Sequence, residues 1–127
     1  MEVAIDDASP VPPFEQVRVQ LDAAIRSGAL APGTRLPTVR QLAGDLGLAP
    51  NTVARAYRAL EDADLVVAGG RRGTRVRDPA ELSAARRAEM VGDAARRYLA
   101  DAARLGLSPE EALAALGRAV PTPPDPT

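Results

Sequence analysis

Arginine and amide side chains recur at helical spacing between residues 50 and 60. Asn51, Arg55 and Arg58 lie four and then three residues apart, so a helix would place them on one face. A guanidinium group can bind phosphate oxygens or guanine edges through two parallel hydrogen bonds. The opposite face of this helix would carry apolar residues: Val53, Ala56, Tyr57 and Leu60. An apolar back and a polar, guanidinium-bearing front are typical of a helix that enters the major groove of DNA.

Enzymatic chemistry has little support in the composition. The chain of 127 residues contains no cysteine, no histidine and no lysine, and its 16 cationic residues are all arginine. The missing residue types supply most general bases, nucleophiles and Schiff-base amines, and two of them supply most zinc sites. Most acidic residues lie at predicted helix starts, where capping explains them. We therefore predict that the protein is not an enzyme and has no metal site and no cofactor.

A shorter helix is predicted directly before the arginine-bearing one. Thr38 is a favourable N-cap, and Gln41 follows at the spacing of a capping box. Gly47 can end this helix because glycine adopts the left-handed conformation easily, and Pro50 suits the first turn of the next helix. The apolar stripe of the shorter helix consists of Val39, Leu42, Ala43 and Leu46. Together the two helices and their glycine turn predict a helix-turn-helix.

A basic β-hairpin is predicted after the helix-turn-helix. Its tip and return strand carry Arg71, Arg72, Arg75 and Arg77, with no acidic residue among them. A hairpin of this kind is typical of a wing, whose arginines contact phosphates or the minor groove; the alternative is a solvated turn. The net charge is −1, yet residues 11–78 hold ten arginines against seven acidic residues. This part of the chain is therefore the basic part, as nucleic-acid contact requires.

Two further helices are predicted in the last third of the chain. Asp78, Pro79 and Glu81 are residue types that cap and open a helix, so we expect a long helix from Asp78 to about Arg104. Ser108 would cap a last, short helix. Such a pair cannot bury its apolar faces alone, which predicts homodimerisation, with packing inside the chain as the alternative. The predicted interface comprises Val91, Ala95, Tyr98, Ala102, Leu105, Leu113 and Leu116.

The predicted fold is mainly α with a small β-hairpin. Residues 1–11 are predicted to be disordered, residues 12–77 to form a winged helix-turn-helix, and residues 78–120 to form a short two-helix dimerisation region. The proline-rich residues 121–127 are predicted to be a disordered tail. No apolar run approaches the roughly 18 residues of a membrane span, and the acidic start is unlike a secretory signal. We therefore expect a cytoplasmic protein.

These motifs resemble those of the GntR family of bacterial transcription regulators. Residues 27–43, from Ser-Gly-Ala-Leu-Ala-Pro-Gly through Leu-Pro-Thr-Val-Arg, are similar to the family's opening, a Gly-x-Leu-x-Pro-Gly turn followed by Leu-Pro-Ser/Thr-x-Arg. Residues 50–61 resemble the recognition helix of the YtrA subfamily, and residues 73–76 resemble the return strand of its wing. The short two-helix region also fits this subfamily, in which it serves dimerisation.

The resemblance implies roles for individual residues. Arg40 matches an arginine that contacts DNA at the start of the family's second helix, and Thr52 matches a threonine placed to touch phosphate. Asn51 and Arg55 match residues of the subfamily's recognition helix. The full set that we predict to contact DNA comprises Arg35, Thr38, Arg40, Asn51, Thr52, Arg55, Arg58, Arg71, Arg72, Gly73 and Arg75.

Four positions depart from the family's pattern. Ala49 replaces the polar N-cap of the recognition helix, and Ala54 replaces a base-reading arginine of other branches. Asp64 stands where the family has glycine before the wing, and Arg72 stands where a glycine often precedes Gly73. The operator preference of other branches should therefore not be transferred, and the wing tip should differ in shape.

We predict a sequence-specific transcriptional regulator that binds double-stranded DNA as a dimeric repressor on a palindromic operator. The resemblance implies control of its own operon and of an adjacent ABC transporter. The alternative is a winged-helix module for protein–protein contacts, which a net charge of −1 would suit. A small-molecule effector is left open, because the alanine-rich helices look too small for a pocket of about 300–1,000 Å³ unless a dimer interface supplies one.

Overall fold

The computed structural model describes residues 2–69 and 73–121. The chain divides into an amino-terminal unit, Met1–Glu81, and a carboxyl-terminal unit, Leu82–Thr127, four residues beyond the predicted boundary. The first unit contains α1 (Pro13–Arg26), α2 (Val39–Leu46), α3 (Pro50–Asp62), β1 (Val66–Ala68) and β2 (Thr74–Val76). The second contains α4 (Ala84–Arg104) and α5 (Pro109–Ala119).

Capping interactions set the ends of the helix-turn-helix. The Gln41 N–H donates to Thr38 Oγ1 at 3.1 Å, and the Thr38 N–H donates to Gln41 Oε1 at 2.9 Å, which is the predicted capping box. Gly47 ends α2 in the left-handed conformation with φ 67°. The next helix, α3, begins at Pro50 without a side-chain cap, because the side chain of Ala49 has no polar atom.

The apolar core of the amino-terminal unit fixes the orientation of α3. Val53 and Leu60 of α3 are fully buried, together with Val17 and Leu21 of α1. The Tyr57 hydroxyl donates to the backbone oxygen of Pro37 at 2.7 Å, which ties α3 to the segment before α2. Because the predicted apolar stripe is the buried face of α3, the opposite face is held toward solvent.

A third strand segment joins the predicted hairpin. β1 and β2 pair antiparallel, with Val66 opposite Val76. On the other side of β2, Arg35 forms an antiparallel bridge with Arg75. The Leu36 N–H donates to the Thr74 oxygen, and the Val76 N–H donates to the Thr34 oxygen, each at 2.8 Å. This pairing fastens the wing to the chain that leads into α2, which the sequence did not reveal.

Residues 2–11 differ from the predicted disorder, because residues 2–6 run along α1 and residues 7–11 form a turn and bends before it. The Ala4 N–H donates to Gln20 Oε1 at 3.0 Å, and Gln20 Nε2 donates back to the Ala4 oxygen at 2.7 Å. The Asp6 N–H donates to Gln16 Oε1 at 2.9 Å. Val3 and Ile5 pack against the core. Two apolar side chains and two glutamines of α1 thus order a segment whose prolines and acids suggested otherwise.

The predicted long helix starts later than Asp78. Pro79–Glu81 forms only a short 3-10 turn, in which the Ala80 N–H donates to Asp78 Oδ1 at 2.9 Å. α4 begins at Ala84, where the Arg86 N–H donates to Ser83 Oγ at 3.0 Å. The expected start at Asp78 was wrong because a second capping residue, Ser83, lies only five positions further along the chain.

The carboxyl-terminal unit buries little more than alanine. Ala102 of α4 and Ala112 of α5 are buried, and the Tyr98 hydroxyl donates to the Ala112 oxygen at 2.6 Å. α5 starts with the predicted cap, because Ser108 and Glu111 form a capping box. Hydrogen bonds from Ser108 lower the pKa of the Glu111 carboxyl. Of the helices in residues 2–69 and 73–121, none is long and apolar enough to cross a membrane.

Candidate nucleic-acid interface

The outward face of α3 carries the polar residues predicted to contact DNA. Asn51 and Arg58 are exposed, and Thr52 is half-buried. The core holds α3 by its opposite face, so these side chains occupy a rigid helix rather than a loop. A rigid helix with amide and guanidinium donors on its free face suits readout of base edges and phosphates.

Arg55 is stacked on an aromatic ring. Its guanidinium carbon lies 3.7 Å from the centre of the Phe14 ring, which belongs to the first turn of α1. A cation over an aromatic face gains about 0.5–1 kcal/mol at an exposed site. Stacking uses the face of the guanidinium and leaves its N–H edge for acceptors such as phosphate. The structure thus places Arg55 where predicted, and it adds Phe14 as a residue that orients it.

The start of α2 contributes a second group of predicted contacts. Arg40 is exposed in the first turn of α2. Arg35 and Thr38 line an open cleft of about 820 Å³ beside this turn. The Thr38 hydroxyl accepts the capping hydrogen bond of α2, so its main role is to fix the start of the helix. Arg40 is therefore the side chain of this helix start that is best placed to donate to DNA.

The wing places Gly73 against Arg35. Gly73 has φ 68°, a conformation that side chains rarely adopt. A Cβ atom at Gly73 would lie 3.3 Å from Arg35 Nε, so the glycine also permits this close approach. The two predicted wing-tip contacts, Arg71 and Arg72, lie outside the described residues.

Arg75 of the return strand is already paired with a carboxylate. Its Nη1 donates to Glu81 Oε1 at 2.5 Å, and its Nη2 donates to Glu81 Oε2 at 2.9 Å. The hydrogen bond from Arg75 is the main reason why the pKa of Glu81 is lowered, and the reciprocal bond raises the pKa of Arg75. The predicted DNA contact is therefore occupied within the chain, which the sequence did not indicate.

Asp64 occupies a left-handed position before the wing. Its φ is 61°, and its Oδ1 lies 3.7 Å from Arg77 Nη2. The glycine of the family pattern would adopt this conformation without strain, and aspartate adopts it more readily than most residues. The departure noted in the sequence thus keeps the local backbone and adds a charge next to Arg77.

The residues predicted to form a dimer interface divide into two groups. Ala102 and Tyr98 are used in the contact between α4 and α5. Val91, Leu105 and Leu113 are 63%, 71% and 69% exposed.

An open groove of about 450 Å³ is lined by Val91, Ala94, Ala95, Tyr98, Leu99, Leu113 and Leu116. We call this surface the apolar groove; Ala94 and Leu99 line it in addition to the residues of the predicted interface.

No cluster of three acidic side chains in residues 2–69 and 73–121 could hold a metal ion. The guanidinium groups of Arg40, Arg55 and Arg58 on the α2–α3 face are donors only, which suit an anion rather than a cation. Together with the stacked Arg55, these donors suit the α2–α3 face to binding a polyanion.

Comparison with known proteins gives consistent matches. The family model described as bacterial regulatory proteins, gntR family, matches residues 13–76, from α1 through β2. The HTH-type transcriptional regulator Rv1152 of Mycobacterium tuberculosis is 46% identical over 111 residues, which cover 86% of each chain. The HTH-type transcriptional repressor YtrA of Bacillus subtilis is 30% identical over 110 residues, 86% of this chain and 85% of that protein.

A solved structure extends the match to both units. The structure of YtrA from Sulfolobus acidocaldarius, a GntR-family transcription factor, matches with a TM-score of 0.74 and 30% identity. The alignment covers 91% of this chain and 94% of that chain. The similarity therefore includes the two carboxyl-terminal helices as well as the winged helix.

Proposed function

Because the chain belongs to the GntR family and is a DNA-binding transcriptional regulator, we propose that it acts as a homodimeric repressor on a palindromic operator. The family relationship confirms the predicted resemblance and the predicted winged-helix fold. It also favours a DNA-binding regulator over the alternative of a protein–protein module, and over any enzyme, since the relatives are named as transcriptional regulators.

The observation that carries the DNA-binding proposal is the outward, donor-rich face of α3 beside the exposed start of α2. Asn51 and Arg58 would read base edges, and Thr52 would donate to phosphate. Arg40 would donate from the first turn of α2, and Arg55 would do so from its stacked position on Phe14. The remaining proposed contacts are Arg35, Thr38, Arg71, Arg72, Gly73 and Arg75.

The apolar groove supports the proposal of a homodimer. Soluble monomers rarely leave a contiguous apolar surface of this kind uncovered, and twofold pairs are the commonest oligomers. A twofold dimer of winged helices would bind two half-sites about 34–36 Å apart, which predicts the palindrome. The named repressor among the relatives supports repression as the outcome of binding.

The regulated genes and the cellular location are proposed on the family relationship. We propose that the protein acts in the cytoplasm, where bacterial DNA is transcribed, and that it controls its own operon and an adjacent ABC transporter. An effector remains unassigned. The DNA upstream of the gene that encodes the protein is therefore the first operator to test.

The test is a fluorescence-anisotropy titration with that upstream DNA at physiological salt and with excess random DNA. Scrambling one arm of the palindrome should abolish tight binding. Arg40→Ala should weaken specific binding by about ten- to a hundredfold, because losing a bidentate contact to guanine costs about 1–3 kcal/mol. Arg97→Ala is the matched control, since it removes an exposed arginine of α4 outside the proposed contacts. Equal affinity of Arg40→Ala and parent would contradict the role of Arg40.

A further inference from the structure

Two anions, the Glu81 carboxylate and a DNA phosphate, would compete for the guanidinium group of Arg75. Both terminal nitrogens of Arg75 donate to the two oxygens of Glu81, at 2.5 Å and 2.9 Å. These are the same donors that would bind two phosphate oxygens. Arg75 can therefore make its full contact with DNA only after it has released the carboxylate.

The 3-10 turn Pro79–Glu81 places Glu81 beside β2. The Glu81 N–H donates to the Asp78 oxygen at 2.9 Å, which closes the 3-10 turn. The Asp78 N–H approaches Glu81 Oε1 at 3.4 Å. The carboxylate is thus positioned by backbone geometry as well as by Arg75. Its pKa is lowered from an ordinary value that already leaves a glutamate ionised at neutral pH, so Glu81 acts as a fixed negative charge beside β2.

The pair is open to solvent on one side. The Arg75 side chain is 25% exposed and the Glu81 side chain is 35% exposed. Partly exposed ion pairs are weak because water and salt screen them. A phosphate that approaches from solvent can therefore displace the carboxylate without opening the core of the amino-terminal unit.

We propose that Glu81 is an affinity-setting residue, whose carboxylate holds Arg75 in the unbound protein and is exchanged for a DNA phosphate on binding. This inference rests on the proposed placement of Arg75 at the DNA. The exchange holds the affinity below the maximum that the arginine could give.

Glu81→Gln tests the exchange, because it keeps the shape of the side chain and removes its charge. We expect operator binding to tighten about three- to tenfold. The slope of log K against log salt should stay close to that of the parent, because Arg75 contacts the same phosphate in both proteins. Glu89→Gln is the matched control, since the same chemical change breaks a Glu–Arg pair on α4, where Arg86 Nη1 lies 3.0 Å from Glu89 Oε1. The control should leave affinity and slope unchanged.

A double-mutant cycle separates exchange from a general charge effect. In an Arg75→Ala background, Glu81→Gln should no longer tighten binding, whereas a general loss of repulsion would persist there. Glu81→Asp, which retains the charge on a shorter stem, provides a second variant if Glu81→Gln folds poorly, and it should bind with intermediate affinity. Thermal melting of each variant identifies any loss of folding.

Failure of the inference can be told apart from failure of the proposed function. If the parent shows no preference for its upstream DNA over random DNA, the proposed operator binding fails. If the parent binds specifically while folded Glu81→Gln binds equally or more weakly, only the exchange at Arg75 is overturned. Tightening that persists in the Arg75→Ala background would overturn it as well.

Discussion

The two units of the chain differ in how far their large apolar side chains are buried. In the amino-terminal unit, large side chains such as Leu21 and Leu60 are buried against one another. In the described part of the carboxyl-terminal unit, the buried residues are Ala102 and Ala112, while Leu105 and Leu113 remain exposed. The first unit completes its core with its own residues. The second unit has no core of that kind among its described residues. This is expected of an element that buries its apolar side chains against a partner.

A tyrosine in each unit illustrates the same difference. Both hydroxyls donate to a backbone carbonyl, Tyr57 to Pro37 at 2.7 Å and Tyr98 to Ala112 at 2.6 Å. Tyr57 is only 6% exposed and belongs to the core. Tyr98 is half-buried and lines the apolar groove. The same kind of hydrogen bond therefore belongs to a closed core in one unit and to the edge of an open surface in the other.

The largest expected effect is on folding of the amino-terminal unit. Leu60→Ala removes a side chain that is 1% exposed, so it should lower the free energy of unfolding by about 2–5 kcal/mol. Leu113→Ala is the matched change in the other unit and should leave the fold of the first unit within about 0.5 kcal/mol. Urea unfolding followed by circular dichroism measures both. Equal losses of unfolding free energy in the two variants would contradict this difference between the units.

The next effect concerns association. Leu113→Asp places a charge in the apolar groove, and burial of that charge in a dimer would be costly. We expect the dimer dissociation constant to rise about a hundredfold in analytical ultracentrifugation, a change of about 2.8 kcal/mol. Ala114→Asp adds the same charge to an exposed position of α5 outside the groove and serves as the control. A dimer that survives Leu113→Asp unchanged would mean that the groove is not its interface.

The smallest effect appears at alkaline pH. Burial raises the pKa of Tyr57 to about 12, above the value of about 10 for a free phenol. The folded state holds this proton more tightly than the unfolded state does. The stability linked to Tyr57 is therefore complete below pH 10 and declines as the pH rises toward 12.

Ultraviolet absorbance of the phenolate can test this directly, because the chain contains two tyrosines. In a Tyr98→Phe variant, the signal comes from Tyr57 alone and should titrate near 12 in the folded protein. In urea it should titrate near the free value of about 10. The Tyr57→Phe variant should lose less stability over this pH range than the parent. A folded-state midpoint near 10 would show that Tyr57 is less enclosed than the structure indicates.

Sequence patterns predicted the features that depend on nearby residues. Thr38 with Gln41 forms the predicted capping box, and Ser108 is the predicted cap of α5, because the partners of each cap lie within one helical turn. The buried stripe of α3 followed from helical periodicity in the same way. The order of α2, α3, the wing and the two carboxyl-terminal helices could therefore be derived from the sequence.

Contacts between distant residues could not be predicted in this way. The stack of Arg55 on Phe14 joins α3 to α1, and no local pattern specifies it. Two residues, Asp78 and Ser83, had comparable capping potential, and only the structure shows that α4 starts after Ser83. The candidate site residues were thus predicted by type and face, while their partners within the chain emerged only from the fold.

The bridge between Arg35 and Arg75 has a consequence for the order of folding. It makes β2 a central strand, flanked by β1 and by the segment before α2. The two flanking segments lie on either side of α2 and α3 in the chain, so the sheet can close only when both helices have brought its edges together. Local helical contacts form quickly, whereas closing a longer loop costs more entropy. The wing should therefore be the last part of the amino-terminal unit to form, so pulse labelling during refolding should protect its hydrogen-bonded amides, such as that of Val76, later than those of the helices.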